Sequence, residues 1–407
     1  MRQELLTKLR AAFDFAQRQV RALVTRLPDY HPVYTVQGKW GRDAERWNPG
    51  PAGSKALIGG PDALVASMAW MFFRVTGDDS WRVIAEARTA KLDDKRFDRE
   101  NQDLGVLFMN TYARWFRISR DRRHLAMVLQ AARTLARRFQ SKGEYLCSAA
   151  GPGSLFIDMM LNVELLFYAG KAGSDLNLTN TAISHCRTTH RYLVREDGGT
   201  AQEGIFELGT GIFLREGTQQ GYKANSTWAR GLATAVYGFG VAYHYTQIEE
   251  FLITAEECAE FYLERARPDG MMTWDLDCPP GPKRLDDSSA AAIAANGLWN
   301  LAGLTKDRDR KMRYAEGAMR ILETLASPQY LAKDKPGQEG ILLHGVYHMG
   351  RQLGVDESLI FGDHYFVEAL YKVVQDRRGK RVDAATGTAP ILPTKPAVND
   401  GSDSSTD

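Results

Sequence analysis

The run NSTWARGLATAVYGFGVAYHYTQIEEFLITAEECAEFYLERA, Asn225 to Ala266, contains two helical patterns joined by a short polar turn, TQIEE at Thr246. Apolar residues recur three and four apart over Ser226 to Tyr245 and again over Phe251 to Ala266, the spacing that builds one buried face on a helix. The first pattern is apolar almost all round and rich in Gly and Ala, as a helix enclosed by others must be. The second carries Glu249, Glu250, Glu256, Glu257 and Glu260 and has one wet side. An enclosed helix, a short turn and an outer helix form a hairpin unit.

The same unit recurs along the chain. Helical periodicity extends over Leu5–Leu27, Ala63–Phe73, Trp81–Leu92, Leu104–Phe116, Leu125–Phe139, Phe156–Tyr168, Leu178–Leu193, Ser288–Leu301, Met312–Leu325 and Leu359–Val374, making twelve helices in all. Polar turns stand between neighbours: TGDDS at Thr76, SRDRR at Ser119, GKAGSD at Gly170 and TKDRD at Thr305. Their Asp and Thr residues suit the N-cap of the following helix. Six helix pairs predict an all-α fold, a closed (α/α)6 barrel, over residues 1–378. The segment 379–407 is too rich in Pro, Thr, Ser and Asp to pack and is expected to be a disordered tail.

In such a barrel the inner helices share one direction. They are expected to start near Pro61, Asp103, Ile157, Asn225, Asp287 and Leu359. The long loops before them, 42–60, 147–154, 195–224, 269–285 and 331–357, then gather at one mouth, where a site is built. Residues Gly198–Gly221 alternate enough to predict a small β-hairpin over that mouth.

Composition narrows the function. The 407 residues are 44% apolar and carry a formal charge of only +2, with no basic, aromatic-interleaved block, so nucleic acid is not an expected partner. Glu4 and Asp14 interrupt every apolar run near the N-terminus, and no stretch nears the roughly 20 apolar residues that span a bilayer. A cytoplasmic location without membrane contact is expected. Cys147, Cys186, Cys258 and Cys278 are widely spaced, without a C-x-x-C pair, as in a reduced enzyme. His344 and His348 stand four apart but lack the Glu of H-E-x-x-H, and there is no P-loop, G-x-G-x-x-G fingerprint or G-x-S-x-G elbow. No metal or organic cofactor is expected.

The chemistry-bearing candidates lie at the mouth ends of the inner helices. Asp158 is a lone carboxylate in SLFIDMMLN, and Asp103 opens NQDLGVLF. Two carboxylates facing each other across a narrow mouth are the minimum for acid/base work on a sugar. Burial against Phe156 and Met159 would favour a protonated Asp158, whereas a helix N-terminus favours the ion. The structural alternative for each is an N-cap or a buried, hydrogen-bonding Asp. Arg230, beside Trp228, needs an anion: a substrate carboxylate, or an internal partner such as Asp158 or Asp287. Asp286 and Asp287 cap the next inner helix and are candidates for orienting a loop. His344, Tyr347, His348 and Asp363 are brought to the same mouth.

The ordered motifs resemble one family, the unsaturated glucuronyl hydrolases of glycoside hydrolase family 88. They are TGD at Thr76, DLG at Asp103, IDMMLN at Ile157, QGY at Gln220, WARG at Trp228, YGF at Tyr237, DSSAAAIAANGL at Asp287, LLHGVYH at Leu342 and FGDHYFVEAL at Phe361. The resemblance implies an (α/α)6 barrel and a substrate oligosaccharide ending in a Δ4,5-unsaturated uronic acid, left by polysaccharide lyases. It implies hydration of the vinyl ether: an Asp protonates C4 and activates the water that adds at C5. On this resemblance Asp158 is the general acid/base, Asp103 its partner, and Arg230, Gln220 and Trp228 are substrate contacts. Gln102 and Gln202 stand where the family usually has His, and are carried over as substrate-binding positions with His344. Leu232 and Thr234 replace a polar and an aromatic residue of the family pattern, and a tryptophan is absent near Val65. Two other readings are an inverting glycosidase acting on saturated glycosides and a non-catalytic sugar-binding barrel.

Overall fold

The computed structural model describes residues 3–41 and 61–376. The expected mouth loop 42–60 and the tail expected from residue 379 lie outside the described residues. Thirteen α-helices occur among them: α1 (Gln3–Arg26), α2 (Pro61–Thr76), α3 (Asp79–Ala90), α4 (Leu104–Asn110), α5 (Tyr112–Ser119), α6 (Arg122–Ala136), α7 (Val163–Gly173), α8 (Leu176–Leu193), α9 (Ala229–Thr246), α10 (Glu249–Arg265), α11 (Ser288–Leu304), α12 (Arg308–Leu325) and α13 (Ile360–Asp376).

Contacts between elements define a closed ring. Helices α2, α4, α7, α9, α11 and α13 each pack on the next, and α13 returns to α2. Outside them α3, α6, α8, α10 and α12 pack on α2, α7, α7, α9 and α11, while α1 covers α13 and α2. The N-terminal helix therefore supplies the outer partner of the C-terminal one. This is the expected (α/α)6 barrel, with inner helices buried on every side: every residue from Ala229 to Tyr243 of α9 is buried.

The polar turns act as predicted. Asp78, Asp121, Asp175 and Asp307 are N-caps, their carboxylates accepting from the amides of Ser80, Arg123, Asn177 and Asp309 at 2.9–3.1 Å. Each cap satisfies amides that the first helical turn leaves without partners. The turn at Thr246 differs: Thr246 Oγ1 accepts from Ile248 N instead.

Two expected helices are interrupted. The pattern Leu104–Phe116 is two helices, broken at Thr111, whose backbone (φ −122°, ψ −88°) is not helical. The pattern Phe156–Tyr168 starts as a strand, passes through a 3-10 turn at Ile157–Leu161 and becomes α7 only at Val163. Apolar spacing cannot separate these cases, because all three conformations bury the same side chains.

Small antiparallel sheets dress the mouth. β1 (Phe139–Gln140) pairs with β2 (Tyr145–Leu146). β3 (Ser154–Phe156), β4 (Glu203–Phe206) and β5 (Phe213–Gly217) form one three-stranded sheet with a bulge at Ile205/Phe206. The predicted hairpin is thus β4–β5, with β3 added as a third strand. β6 (Gly345–His348) pairs with β7 (Leu353–Glu357).

Two glycines set the depth at which the 3-10 turn lies. A Cβ on Gly105 of α4 would lie 2.3 Å from Asn162 Cα, and one on Gly238 of α9 would lie 2.5 Å from Met160 Cβ and 2.7 Å from its carbonyl oxygen. The turn carrying Asp158 is held between these two inner helices at near backbone contact.

Candidate active site

Asp158 lies on that 3-10 turn, just past β3, and the turn is tied to β4 by Ile157 N donating to Gln202 O at 2.9 Å. The residue as a whole is half-buried, but its Oδ2 is out of water and accepts no hydrogen bond. Burial pushes its carboxyl up to about 6 from an ordinary 3.8; Arg230 opposes the rise, and the neighbouring Asp103 adds to it. A carboxyl group in this setting exchanges its proton near neutrality, as an acid/base catalyst must.

Asp103 occupies the N-cap position of α4, yet its side chain makes no capping bond. Its Oδ1 accepts instead from Asn162 Nδ2 at 3.3 Å. The plain cap reading therefore fails for both carboxylates, since Asp158 does not cap a helix either. Tyr365 of α13, a buried hydroxyl held well above its ordinary range first by desolvation, also feels the charges of Asp103 and Asp158. Tyr347 on β6 is raised by burial and by Asp103 among others, and its ring stacks on Tyr34 at 5.5 Å. Burial keeps both phenols protonated near the pair.

Arg230 is held from within the protein. Its Nη1 donates to Asp287 Oδ2 (3.3 Å), Ser289 Oγ (3.2 Å) and Val346 O (3.0 Å), and its Nη2 donates to Tyr347 O (2.9 Å). Of the protein anions weighed for it, Asp287 is the one it bonds, while Asp158 feels its charge. Asp287 also accepts from Ser289 N, Ser289 Oγ and Val346 N, so it both caps α11 and holds β6. Trp228 is buried, with the guanidinium 4.5 Å above its ring centroid, and it packs with Trp274, Cys278, Val346 and Met349. It supports Arg230 from beneath.

The glutamines shape the lid. Gln202 Oε1 accepts from Thr218 Oγ1 (2.6 Å), Gln219 N (2.8 Å) and Gln220 N (2.8 Å), which uses the carbonyl to fold the 218–221 loop. Its Nε2 donates to Gln220 Oε1 at 3.3 Å, and Gln220 Nε2 donates to Tyr347 O at 2.7 Å. Gln102 Oε1 accepts from Ala149 N at 2.7 Å and anchors the loop before β3. These glutamines thus join mouth loops to one another, and the Gln202 side chain also acts on Asp158, favouring its ionised form.

His344 is engaged at the rim. Its Nδ1 meets Asp356 Oδ1 at 2.6 Å on the exposed rim, and its ring stands edge-on to Tyr330. Nearer Arg230, His348 is pushed down to about 4 by burial and by the charges of Arg351 and Arg230, so its imidazole is neutral. Asp363 accepts from Ile341 N (2.9 Å) and Leu342 N (2.8 Å) and serves the loop before β6. Among the described residues no cluster of three His, Cys, Asp or Glu is arranged to hold a metal, and no helix is long and apolar enough to cross a membrane.

Two neighbours of the pair were missed from sequence. Asn162 is the last residue of the quoted IDMMLN motif, and Tyr365 lies inside FGDHYFVEAL. The motifs contain both, but a neutral Asn or Tyr in an apolar run shows no sign of its role until the fold supplies its neighbours.

No protein-family model matches the chain. Among curated proteins it is 31% identical over 324 residues to an unsaturated glucuronyl hydrolase of Bacillus sp. strain GL1, covering 77% of this chain and 85% of that one. It is 30% identical over 324 residues to an unsaturated chondroitin disaccharide hydrolase of Streptococcus pyogenes serotype M1, covering 77% and 81%. The crystal structure of the Bacillus sp. GL1 hydrolase, described as responsible for degradation of glycosaminoglycan, superposes with a TM-score of 0.80 at 26% identity, covering 91% of this chain and 97% of that one. A variant unsaturated glucuronyl hydrolase of Streptococcus agalactiae, complexed with dGlcA-GalNAc6S, gives 0.76 at 25% identity, with 91% and 92% covered.

Proposed function

Because the chain belongs to the family of unsaturated glucuronyl hydrolases, we propose that it removes a Δ4,5-unsaturated uronic acid from the non-reducing end of lyase-generated oligosaccharides, with Asp158 as its acid/base. The observation that carries the assignment of Asp158 is its buried Oδ2 without a hydrogen-bond partner, on a carboxyl whose proton affinity is raised to about 6. A carboxyl so placed is still protonated in mildly acidic solution, where an ordinary Asp has ionised.

The reaction balances on that one group. Protonated Asp158 delivers its proton to C4, and the positive charge that forms is shared between C5 and the ring oxygen. Water adds at C5 and yields its proton to the Asp158 carboxylate, which restores the starting form. The resulting hemiketal opens by breaking the bond from C5 to the ring oxygen, and the hemiacetal left at C1 collapses to an aldehyde and releases the sugar. Asp103, ionised, contributes a negative charge that favours the protonated form of Asp158, and it offers an acceptor to ring hydroxyls. Arg230 tempers that effect from its fixed seat on Asp287 and Trp228. Gln202, Gln220 and Gln102 hold the mouth loops in register over the substrate, and nothing in the sequence of steps calls for a metal or cofactor.

All four cysteines are free and buried, which suits a reducing cytoplasm. The partner is an oligosaccharide with a terminal uronic acid, and we assign neither nucleic acid nor membrane to it. The test is a substrate panel of unsaturated and saturated uronyl disaccharides, followed by release of reducing sugar. Cleavage of the unsaturated members alone, abolished by Asp158→Asn with binding retained, is expected. Cleavage of saturated glycosides would favour the inverting glycosidase, and binding without turnover on either set the non-catalytic barrel.

A further inference from the structure

A helix with Asp at its N-cap position normally spends that side chain on its own first-turn amides. Helix α4 does not: Asp103 stands at the N-cap, its carboxylate makes no cap, and the amide of Val106, three residues on, donates instead to Asn162 Oδ1 at 3.0 Å. The cap is supplied in trans, from the residue that ends the 3-10 turn of Asp158. The same side chain donates from Nδ2 to Asp103 Oδ1 at 3.3 Å. Asn162 is 1% exposed, and its backbone reaches α4 only because residue 105 is glycine.

We propose that Asn162 is a positioning residue for the acid/base pair: by capping α4 in place of Asp103 it lets that carboxylate serve the pair, and by donating to it helps set its orientation relative to Asp158. The inference rests on the reading of Asp158 and Asp103 as the reacting pair. An amide is the side chain that suits the task, since one end must accept from Val106 N and the other must donate to a carboxylate. Asp carries no donor when ionised, and Leu offers neither.

The neighbourhood of Asp103 sets the expected pH behaviour. Asp158 faces it from the 3-10 turn, Tyr347 from β6 and Tyr365 from α13, with Arg230 of α9 acting on Asp158 and Tyr347. Removing the Asn162 donor, or adding a carboxylate there, leaves Asp103 easier to protonate.

The experiment compares the full chain carrying Asn162→Ala or Asn162→Asp with the wild type, using an unsaturated uronyl disaccharide and Asp158→Asn as the inactive reference. In Asn162→Ala, Asp103 swings back to cap α4; kcat falls on the order of a hundredfold with little change in KM. A crystal structure of that variant shows the Asp103 carboxylate on the Val106 amide. Asn162→Asp keeps the acceptor for Val106, so it folds, and the acid limb of its pH profile moves upward. If both variants lose thermal stability while the folded enzyme keeps its wild-type kcat and pH profile, Asn162 is only structural and the proposal fails. Should Asn162→Ala not fold, an unmoved acid limb in Asn162→Asp overturns it alone. Full activity in Asp158→Asn would instead remove the catalytic assignment on which the inference stands.

Discussion

Replacing Asp158 by Asn should stabilise the protein while it stops catalysis, and should do so only above a definite pH. In the unfolded chain Asp158 titrates near 3.8, and in the folded protein near 6. Between those values the native state retains a proton that the unfolded chain has released, so stability is lost as pH rises through the window. This is the reverse of a salt-bridged carboxylate. The two values differ by about 2, and each is equivalent to about 1.4 kcal/mol, so the ionised carboxylate costs the native state about 3 kcal/mol above pH 6. Below pH 4 both states hold the proton and the cost vanishes. Asn is neutral throughout. Urea denaturation midpoints measured from pH 4 to pH 8 should therefore show Asp158→Asn more stable by about 3 kcal/mol at pH 7.5, with the gain fading to near zero at pH 4. A gain that persists at pH 4, or no gain at pH 7.5, would refute the claim that burial holds this carboxyl protonated.

Three further outcomes follow from the same geometry. Since Asp158 must be protonated to act, wild-type kcat/KM should fall above about pH 6, and Arg230→Met, which removes the charge opposing that protonation, should move the falling limb to higher pH in a pH–rate profile. Asp287→Ala leaves Arg230 buried beside only neutral acceptors and also frees Val346 N, so a loss on the order of 3–5 kcal/mol is expected by chemical denaturation. Gly238→Ala places a methyl 2.5 Å from Met160 Cβ; the 3-10 turn must shift, with a loss of about 1–3 kcal/mol in stability and reduced kcat in steady-state assays.

Much of the fold was legible because hairpin repetition is a local property. Apolar spacing located the inner and outer helices, and Asp78, Asp121, Asp175 and Asp307 marked where outer helices begin. The break at Thr111 and the strand at Ser154–Phe156 were not legible, because burial looks the same in each conformation and only pairing with Glu203–Phe206 selects the strand. Closure of the ring by α1 against α13 joins the two ends of the barrel and leaves no mark in either segment alone.

The site divides in the same way. Asp158 stood out in the sequence because a lone carboxylate among Leu155, Ile157 and Met159 has few explanations. Asp287 was one of several anions the sequence offered Arg230, and only the fold selects it, since Asp287, Val346 and Tyr347 arrive from 57 to 117 residues away. Resemblance carried Gln202, Gln220 and His344 to the substrate. Their partners within the protein, the 218–221 loop, Tyr347 O and Asp356, depend on loop geometry that no motif encodes. Asn162 escaped notice because helix caps are sought at the N-cap residue itself, and here that residue has been relieved of the task.

The central claim, that the enzyme hydrates the C4=C5 bond and does not attack the anomeric carbon, has one direct measurement: ultraviolet absorbance of an unsaturated uronyl disaccharide, followed together with release of the second sugar. Hydration destroys the conjugated chromophore, so absorbance should fall in step with release in the wild type and stay constant with Asp158→Asn. Release of the second sugar with absorbance intact would mean that an unsaturated monosaccharide had been freed by attack at the anomeric carbon, and would contradict the account.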